Sequence, residues 1–194
     1  MSSGPFSAFR LTICGVDSLD RHTLKGVSHV LSILDPGNHR PHALSGFTAD
    51  CRLELRFHDI VVVEDDGVPP DESHIEQILS FGRQVAAIGH GAHLLIHCYA
   101  GQSRSTAAAA LCLAQEYPIR TGYEVLGEVV RQNPRTWPNL LMLELGDKAL
   151  GRQGELIAAA GALYRRAIDA NPNLGEHMRR HGRNREVVLA ERWR

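Results

Sequence analysis

Residues 9–170 are expected to form one α/β domain, a mostly parallel sheet of four to five strands with helices on both faces. Three observations carry this expectation. Short apolar or alternating runs occur at 9–14, 29–34, 51–57 and 93–97, a stretch of helical periodicity at 71–88 separates the last two, and helical segments follow one another from 105 onward. Strands separated by long connections cannot pair as hairpins, so they pair in parallel and bury both faces. Residues 1–8 are an N-terminal extension and 171–194 a basic C-terminal tail or helix.

Each element follows from its own residues. FRLTIC at 9–14 alternates like a strand, and Ser18-Leu19-Asp20 then opens a short polar helix ending near Gly26. HVLSIL at 29–34 reads as a buried strand, stopped by the turn residues Asp35-Pro36-Gly37-Asn38. CRLELRF at 51–57 alternates again, and a loop rich in Asp, Gly and Pro covers 59–70. Ile75, Ile78, Leu79, Gly82, Val85 and Ala86 recur at helical spacing until Gly89-His90-Gly91 breaks the pattern. HLLIH at 93–97 is a short buried strand, and the alanines and leucines of 105–116 are strong helix formers. Thr121 and Glu124 form a capping box for a helix to about residue 131. Two further helices are expected at 139–150 and 155–170, with Tyr164 and Leu163 packing into the core and Asn171-Pro172 closing the second. The tail, with Arg179, Arg180, Arg183 and Arg185, reads as a solvated helix.

The informative stretch is LLIHCYAGQSRSTA at 94–107, which contains Cys98-x5-Arg104. None of the other cysteines, Cys14, Cys51 and Cys112, has an arginine six residues on. The spacing alone is weak; its setting makes it specific. Cys98 follows a buried strand and Arg104 precedes a helix, so the amides of the connecting loop and the helix N-terminus form a concave nest for an anion. Gly101 supplies the backbone freedom of a tight loop. The same field favours the Cys98 thiolate, the nucleophilic form. Arg104 offers a planar fork for two phosphate oxygens, and Ser105 can place a hydroxyl beside the sulfur.

IHCYAGQSRS resembles the HC-x5-R-[ST] signature of the protein tyrosine and dual-specificity phosphatases. The order of strands and helices around it is similar to a compact, bacterial-type dual-specificity catalytic domain over residues 9–150. The resemblance implies Cys98 as nucleophile, Arg104 with Tyr99, Ala100, Gly101, Gln102 and Ser103 as the phosphate loop, and Ser105 as helper to the leaving thiolate. It also implies an upstream aspartate as general acid. Asp59, directly after the strand in RFHDI, is preferred; Asp65 and Asp66 are the alternatives, with Gly67-Val68-Pro69-Pro70 read as a local insertion. Trp137-Pro138-Asn139-Leu140 resembles the step at which the late helix of the family begins, so Asn139 would brace the phosphate loop. His97 would stand behind the loop, orienting its backbone and tuning Cys98.

Composition narrows the alternatives. The chain has 194 residues, 43% of them hydrophobic, a formal net charge of −1 and a pI near 6.8. It therefore has no general attraction to nucleic acid or anionic membranes. Only Lys25 and Lys148 among the 21 basic residues are lysines, and the arginines lie scattered near acids. No apolar run approaches the roughly 18 residues that span a bilayer, so a cytoplasmic location without membrane insertion is expected. Four cysteines without regular spacing suit a reducing compartment rather than a disulfide framework. His90, His93 and His97 lie close to Cys98, but a metal there would occupy the thiolate the chemistry requires, so no metal or cofactor is expected. His39 and His42 sit in a turn-rich loop and read as solvated. The partner is a phosphorylated protein or a small phosphomonoester; the phosphate loop interior carries no lysine, which favours phosphotyrosine or phosphoprotein over phosphoinositide. A phosphate-binding module without activity and a rhodanese-like sulfur transferase are the rival readings. The oligomeric state is left open.

Overall fold

The structure, a computed structural model, describes residues 8–23, 25–47, 51–63 and 66–193. The apolar runs become β1 (Arg10–Gly15), β2 (His29–Leu34), β3 (Cys51–Arg56) and β4 (His93–Cys98). They form one four-stranded sheet in the order β1-β4-β2-β3, and every pairing is parallel. The central strands β2 and β4 are buried along their whole length, whereas β1 and β3 at the edges alternate. That difference is why HVLSIL and HLLIH lack alternation and CRLELRF shows it.

Seven α-helices complete the described fold: α1 (Glu72–Ile88), α2 (Arg104–Glu116), α3 (Gly122–Gln132), α4 (Leu140–Ala149), α5 (Glu155–Ala170), α6 (Leu174–Arg180) and α7 (Asn184–Glu191). The Thr121–Glu124 capping box forms, and Asp71 caps α1 by a second one with His74. Residues 104–114 of α2 are all buried, because this helix lies between the sheet and α1, α3 and α4. Its run of alanines keeps a helix thin enough to be enclosed on every side.

The two faces of the sheet are covered unequally. Leu11, Ile13, Leu31, Ile33, Leu94 and Ile96 point into the main core with the α-helices. On the opposite face Cys14, Val30 and Leu95 pack under Leu19, Leu44 and Phe47. The cover there comes from 3-10 segments, Val16–His22 and His42–Gly46, rather than α-helices. Pro36, Gly37 and Pro41 interrupt the β2–β3 connection before a full helix can form. The expectation of helices on both faces is met by these shorter turns.

The C-terminal expectation needs correction. Residues 174–191 form two helices, and α7 packs on α5 through Val187 and Ala190, both buried. Gly161 permits the approach: a Cβ there would lie 2.3 Å from Trp193 Nε1. Arg179, Arg180 and Arg185 are exposed, as expected, and Arg183 is the exception. Arg179 pairs with Glu191, Arg180 with Glu176 and Arg185 with Glu144, and Arg183 is only 6% exposed. Tyr164 is core, as expected; its ring stacks on Trp137 at 4.5 Å and its hydroxyl donates to the Pro138 carbonyl. Among the described residues no helix is long and apolar enough to cross a membrane.

Ile96, fully buried on the central strand, tests this packing. Ile96→Ala should lower stability by about 2–5 kcal/mol, read as a shifted midpoint in urea unfolding.

Candidate active site

The strands run in one direction, so their carboxyl ends meet at one edge, where open α/β sheets bind ligands. Cys98 is the last residue of β4, and α2 begins at Arg104. Between them the loop is held from outside by its carbonyls. Val16 N donates to Tyr99 O (2.9 Å), Asn133 Nδ2 to Gly101 O (2.7 Å), Trp137 N to Gln102 O (2.9 Å) and Asn139 N to Ser103 O (3.4 Å). The amides of residues 99–103 donate to no protein group among the described residues, as an anion nest requires. Gly101 has φ +74°, and a Cβ there would lie 2.5 Å from both the Cys14 carbonyl carbon and Gly15 N. No other residue fits.

Cys98 is 2% exposed, and its Sγ lies 3.2 Å from the Oγ of the fully buried Ser105. All four cysteines are free thiols. Burial pushes Cys14 and Cys112 up to about 12, which makes them inert by contrast.

Arg104 is 3% exposed. Its Nη1 donates to Asp35 Oδ1 and to the Phe57 carbonyl, both at 2.6 Å. Among the described residues its Nε and Nη2 have no partner, and Nε is buried. One edge of the guanidinium therefore belongs to the scaffold. The other edge is the one that matches two oxygens of a phosphate.

Asp59 lies two residues after the carbonyl that Arg104 holds. Its Oδ1 accepts from Ser103 Oγ (2.7 Å), Asn139 Nδ2 (2.9 Å) and Arg183 Nη1 (2.8 Å). Burial alone would raise its pKa, but the Arg183 and Arg104 guanidiniums and the Asn139 amide outweigh burial and hold the carboxyl below its usual range. Behind Arg183 stands Glu186, fully buried, which also accepts from Trp137 Nε1 and from Leu140 N. Burial, the larger effect, keeps the Glu186 pKa above normal despite Arg183.

Asp35, Asp59, Cys98, Arg104 and Arg183 line one cavity of about 580 Å³ together with His58, Ile60, Trp137, His177, Met178 and His181. No protein-family model matches the sequence, and no curated protein matches it. Solved structures do match. PTPMT1 in complex with PI(5)P superposes with a TM-score of 0.55 at 16% identity, over 77% of this chain and 94% of that one. Human DUSP28 gives 0.55 at 17% over 74% and 94%, and the Yvh1 phosphatase domain from Chaetomium thermophilum 0.52 at 19% over 78% and 94%. The fold is that of the dual-specificity phosphatases.

Within this dual-specificity phosphatase fold, Cys98, residues 99–103, Arg104, Ser105 and Asp59 come together as the sequence suggests. Asp66 does not: it is exposed and outside the cavity lining, and Asp65 lies outside the described residues. The stretch read as an insertion closes on itself, because Val68 N donates to His58 Nδ1 (2.9 Å) and His58 N to Val68 O (2.7 Å). Asn139 is both a helix cap and a brace. Its Oδ1 accepts from Met142 N, while its Nδ2 holds Asp59 and the Ile60 carbonyl, so its side chain steadies the acid's segment rather than the phosphate loop. Asn133 and Thr106 are side chains that hold carbonyls of the loop, at Gly101 and Gln102. His97 is fully buried, its Nε2 bonded to Ser32 Oγ at 2.7 Å, and burial lowers it to about 4. It stays neutral near pH 7, so it offers Cys98 no positive charge.

The sequence reading missed Asp35, Asn133, Arg183 and Glu186. Asp35 looked like turn chemistry, which it also is, and Asn133 like a helix end. Arg183 and Glu186 sit three apart at the start of a helix, a pairing visible in sequence, but not its burial.

Gly101→Ala should leave the fold intact and abolish oxyanion binding, because the loop must move off Cys14 and Gly15. Loss of vanadate binding with an unchanged circular dichroism spectrum is the expected result.

Proposed function

We propose that this protein is a metal-independent phosphomonoester hydrolase that works through a cysteinyl-phosphate intermediate. The observation that carries the reading is the unpartnered Nε and Nη2 of Arg104, with Nε buried, on a residue that lines the same cavity as Cys98 and its loop. A buried donor edge of this kind has no structural use of its own, and a phosphoryl group satisfies it.

In the first step the Cys98 thiolate attacks phosphorus in line, the S–P bond forms and the P–O bond to the leaving group breaks. Arg104 and the loop amides hold the three equatorial oxygens through the transition state. Asp59 supplies a proton to the departing oxygen. All three donors at Asp59 go to Oδ1, so the proton belongs on Oδ2. A bound phosphate dianion neutralises Arg104 and adds negative charge nearby, which raises the lowered Asp59 pKa and draws in that proton. In the second step Asp59 takes a proton from water as the water attacks phosphorus, and Ser105 steadies the sulfur as it leaves.

For substrate we favour phosphotyrosine or a phosphoprotein. The loop interior Tyr99-Ala100-Gly101-Gln102-Ser103 presents no lysine, and Ile60, Trp137 and Met178 provide apolar wall suited to a ring. A small phosphorylated metabolite would use the same base of the cavity. Four free thiols fit a reducing, cytoplasmic setting.

Hydrolysis of an aryl phosphate, unaffected by chelator and inhibited by vanadate, is the expected result. No turnover, with oxyanion still bound, would make the protein a phosphate-binding module instead. Cys98→Ser should abolish turnover and retain oxyanion binding; retained activity would overturn the mechanism. Asp59→Asn should cost about 10²- to 10⁴-fold with a poor leaving group and less with a good one. The acid is active only when protonated, so in the wild type kcat/KM falls as pH rises through its pKa, and Asp59→Asn should remove that descending limb.

A further inference from the structure

We propose that Arg183, from the C-terminal helical pair, is a positioning residue that sets where the Asp59 proton sits and ties the acid to the phosphate loop. This rests on the reading of Asp59 as general acid.

The geometry is specific to that task. Arg183 Nη1 bonds both Asp59 Oδ1 (2.8 Å) and the Asp59 carbonyl (3.0 Å), so one nitrogen fixes the rotamer and the backbone of the same residue. Its Nη2 reaches Ser103 Oγ at 2.8 Å, and that hydroxyl donates to the same Oδ1. Acid, phosphate loop and guanidinium thus close into a triangle. With Asn139 added, Oδ1 is saturated by donors, while Oδ2 has no partner among the described residues and Asp59 faces the cavity. A carboxyl so held is protonated on its other oxygen, the one a leaving group can reach.

Glu186 aims the device. It takes Arg183 Nε at 2.8 Å and Nη2 at 2.7 Å on its two oxygens, and is itself anchored by Trp137 Nε1 and Leu140 N. Arg183 is buried and planar, with a fork that spans Asp59 and Ser103 on one side and Glu186 on the other; a lysine has one point of charge and cannot do both. The groups that face Asp59 from each packed element are Arg104 of α2, Arg183 and Glu186 at α7, Tyr164 of α5, His58 beside it, and Asp35, His177 and His181 across the cavity. Of these, Arg183 and Arg104 are the cations that hold the carboxyl ionised.

The test uses the full chain and two substrates, 4-nitrophenyl phosphate and phenyl phosphate, whose leaving groups need the acid little and much. Arg183→Gln should move the descending limb of kcat/KM to higher pH by about one unit, as expected for loss of a close cation. Phenyl phosphate turnover should drop about tenfold or more, with a smaller loss on 4-nitrophenyl phosphate and vanadate binding retained. A folded Arg183→Gln protein with the limb and the substrate ratio unchanged overturns the proposal. Because that variant leaves Glu186 buried without its partner, Arg183→Lys is the second arm. It should keep the limb near its original pH yet lose phenyl phosphate turnover; a wild-type ratio between the substrates there also overturns the proposal. Asp59→Asn separates the two ideas. If it leaves the limb in place, the acid assignment fails; if it removes the limb while both Arg183 variants behave as wild type, the acid stands and only the positioning role fails.

Discussion

A guanidinium buried where parallel strands end must be paired, and the rest of the site is arranged around how Arg104 meets that demand. Its Nη1 is given to Asp35 after β2 and to the Phe57 carbonyl after β3, which joins two strand ends to the first residue of α2. Leaving a buried charge without a partner costs several kcal/mol in order of magnitude. Asp35 offsets that cost without using the whole group, since a carboxylate at one nitrogen leaves the opposite edge available. The same contact fixes the Phe57 carbonyl, and therefore the start of the segment that carries Asp59. The orientation of Arg104 and the placement of Asp59 thus depend on one set of contacts.

The loop at residues 99–103 is built on the opposite principle, with the carbonyls of Tyr99, Gly101, Gln102 and Ser103 used and the amides bonded to no protein group among the described residues. That inversion depends on residues far apart in the chain: Val16 after β1, Asn133 after α3, and Trp137 and Asn139 before α4. It also depends on Gly101, because the loop rests against the end of β1 with no room for a Cβ. The Ala-rich α2 brings its N-terminus to this point while enclosed by sheet and helices, so the loop is backed by a rigid element on both sides. The C-terminal helices add a second layer: α6 contributes His177 and Met178 to the cavity wall, and Arg183, held by Glu186, reaches through to Asp59 and Ser103.

Much of this was legible in the chain. The strands and the main helices appear where apolar runs, helical spacing and capping boxes place them, because each depends on residues close in sequence. Cys98, Arg104 and Ser105 were legible for the same reason: eight consecutive positions on a strand, loop and helix make one local structure. Asp59 could be preferred to Asp66 from its place directly after β3, and His58 and Val68 pair on either side of the segment that follows. Asn139 was recognised as a cap and a brace of the loop, which its backbone N contacts at Ser103 O, but the hold of its side chain on Asp59 was not. Within the helical tail Arg183 was misjudged, since an arginine in a weakly periodic segment has the same appearance whether it meets water, as Arg179, Arg180 and Arg185 do, or a buried carboxylate.

By itself, then, the sequence determined the fold class, the strand–loop–helix setting of Cys98 and Arg104, and the place of Asp59 directly after β3. These are consequences of short-range order, set by periodicity, turn residues and one contiguous motif. Only the tertiary structure decided which edge of Arg104 is free, which oxygen of Asp59 is saturated, and that Arg183, 124 residues further along the chain, completes the site. Those features are matters of direction and burial. Hydrogen bonds and ion pairs act over a few ångströms in space, and only the packing of α7 on α5 brings the residues that make them within that range.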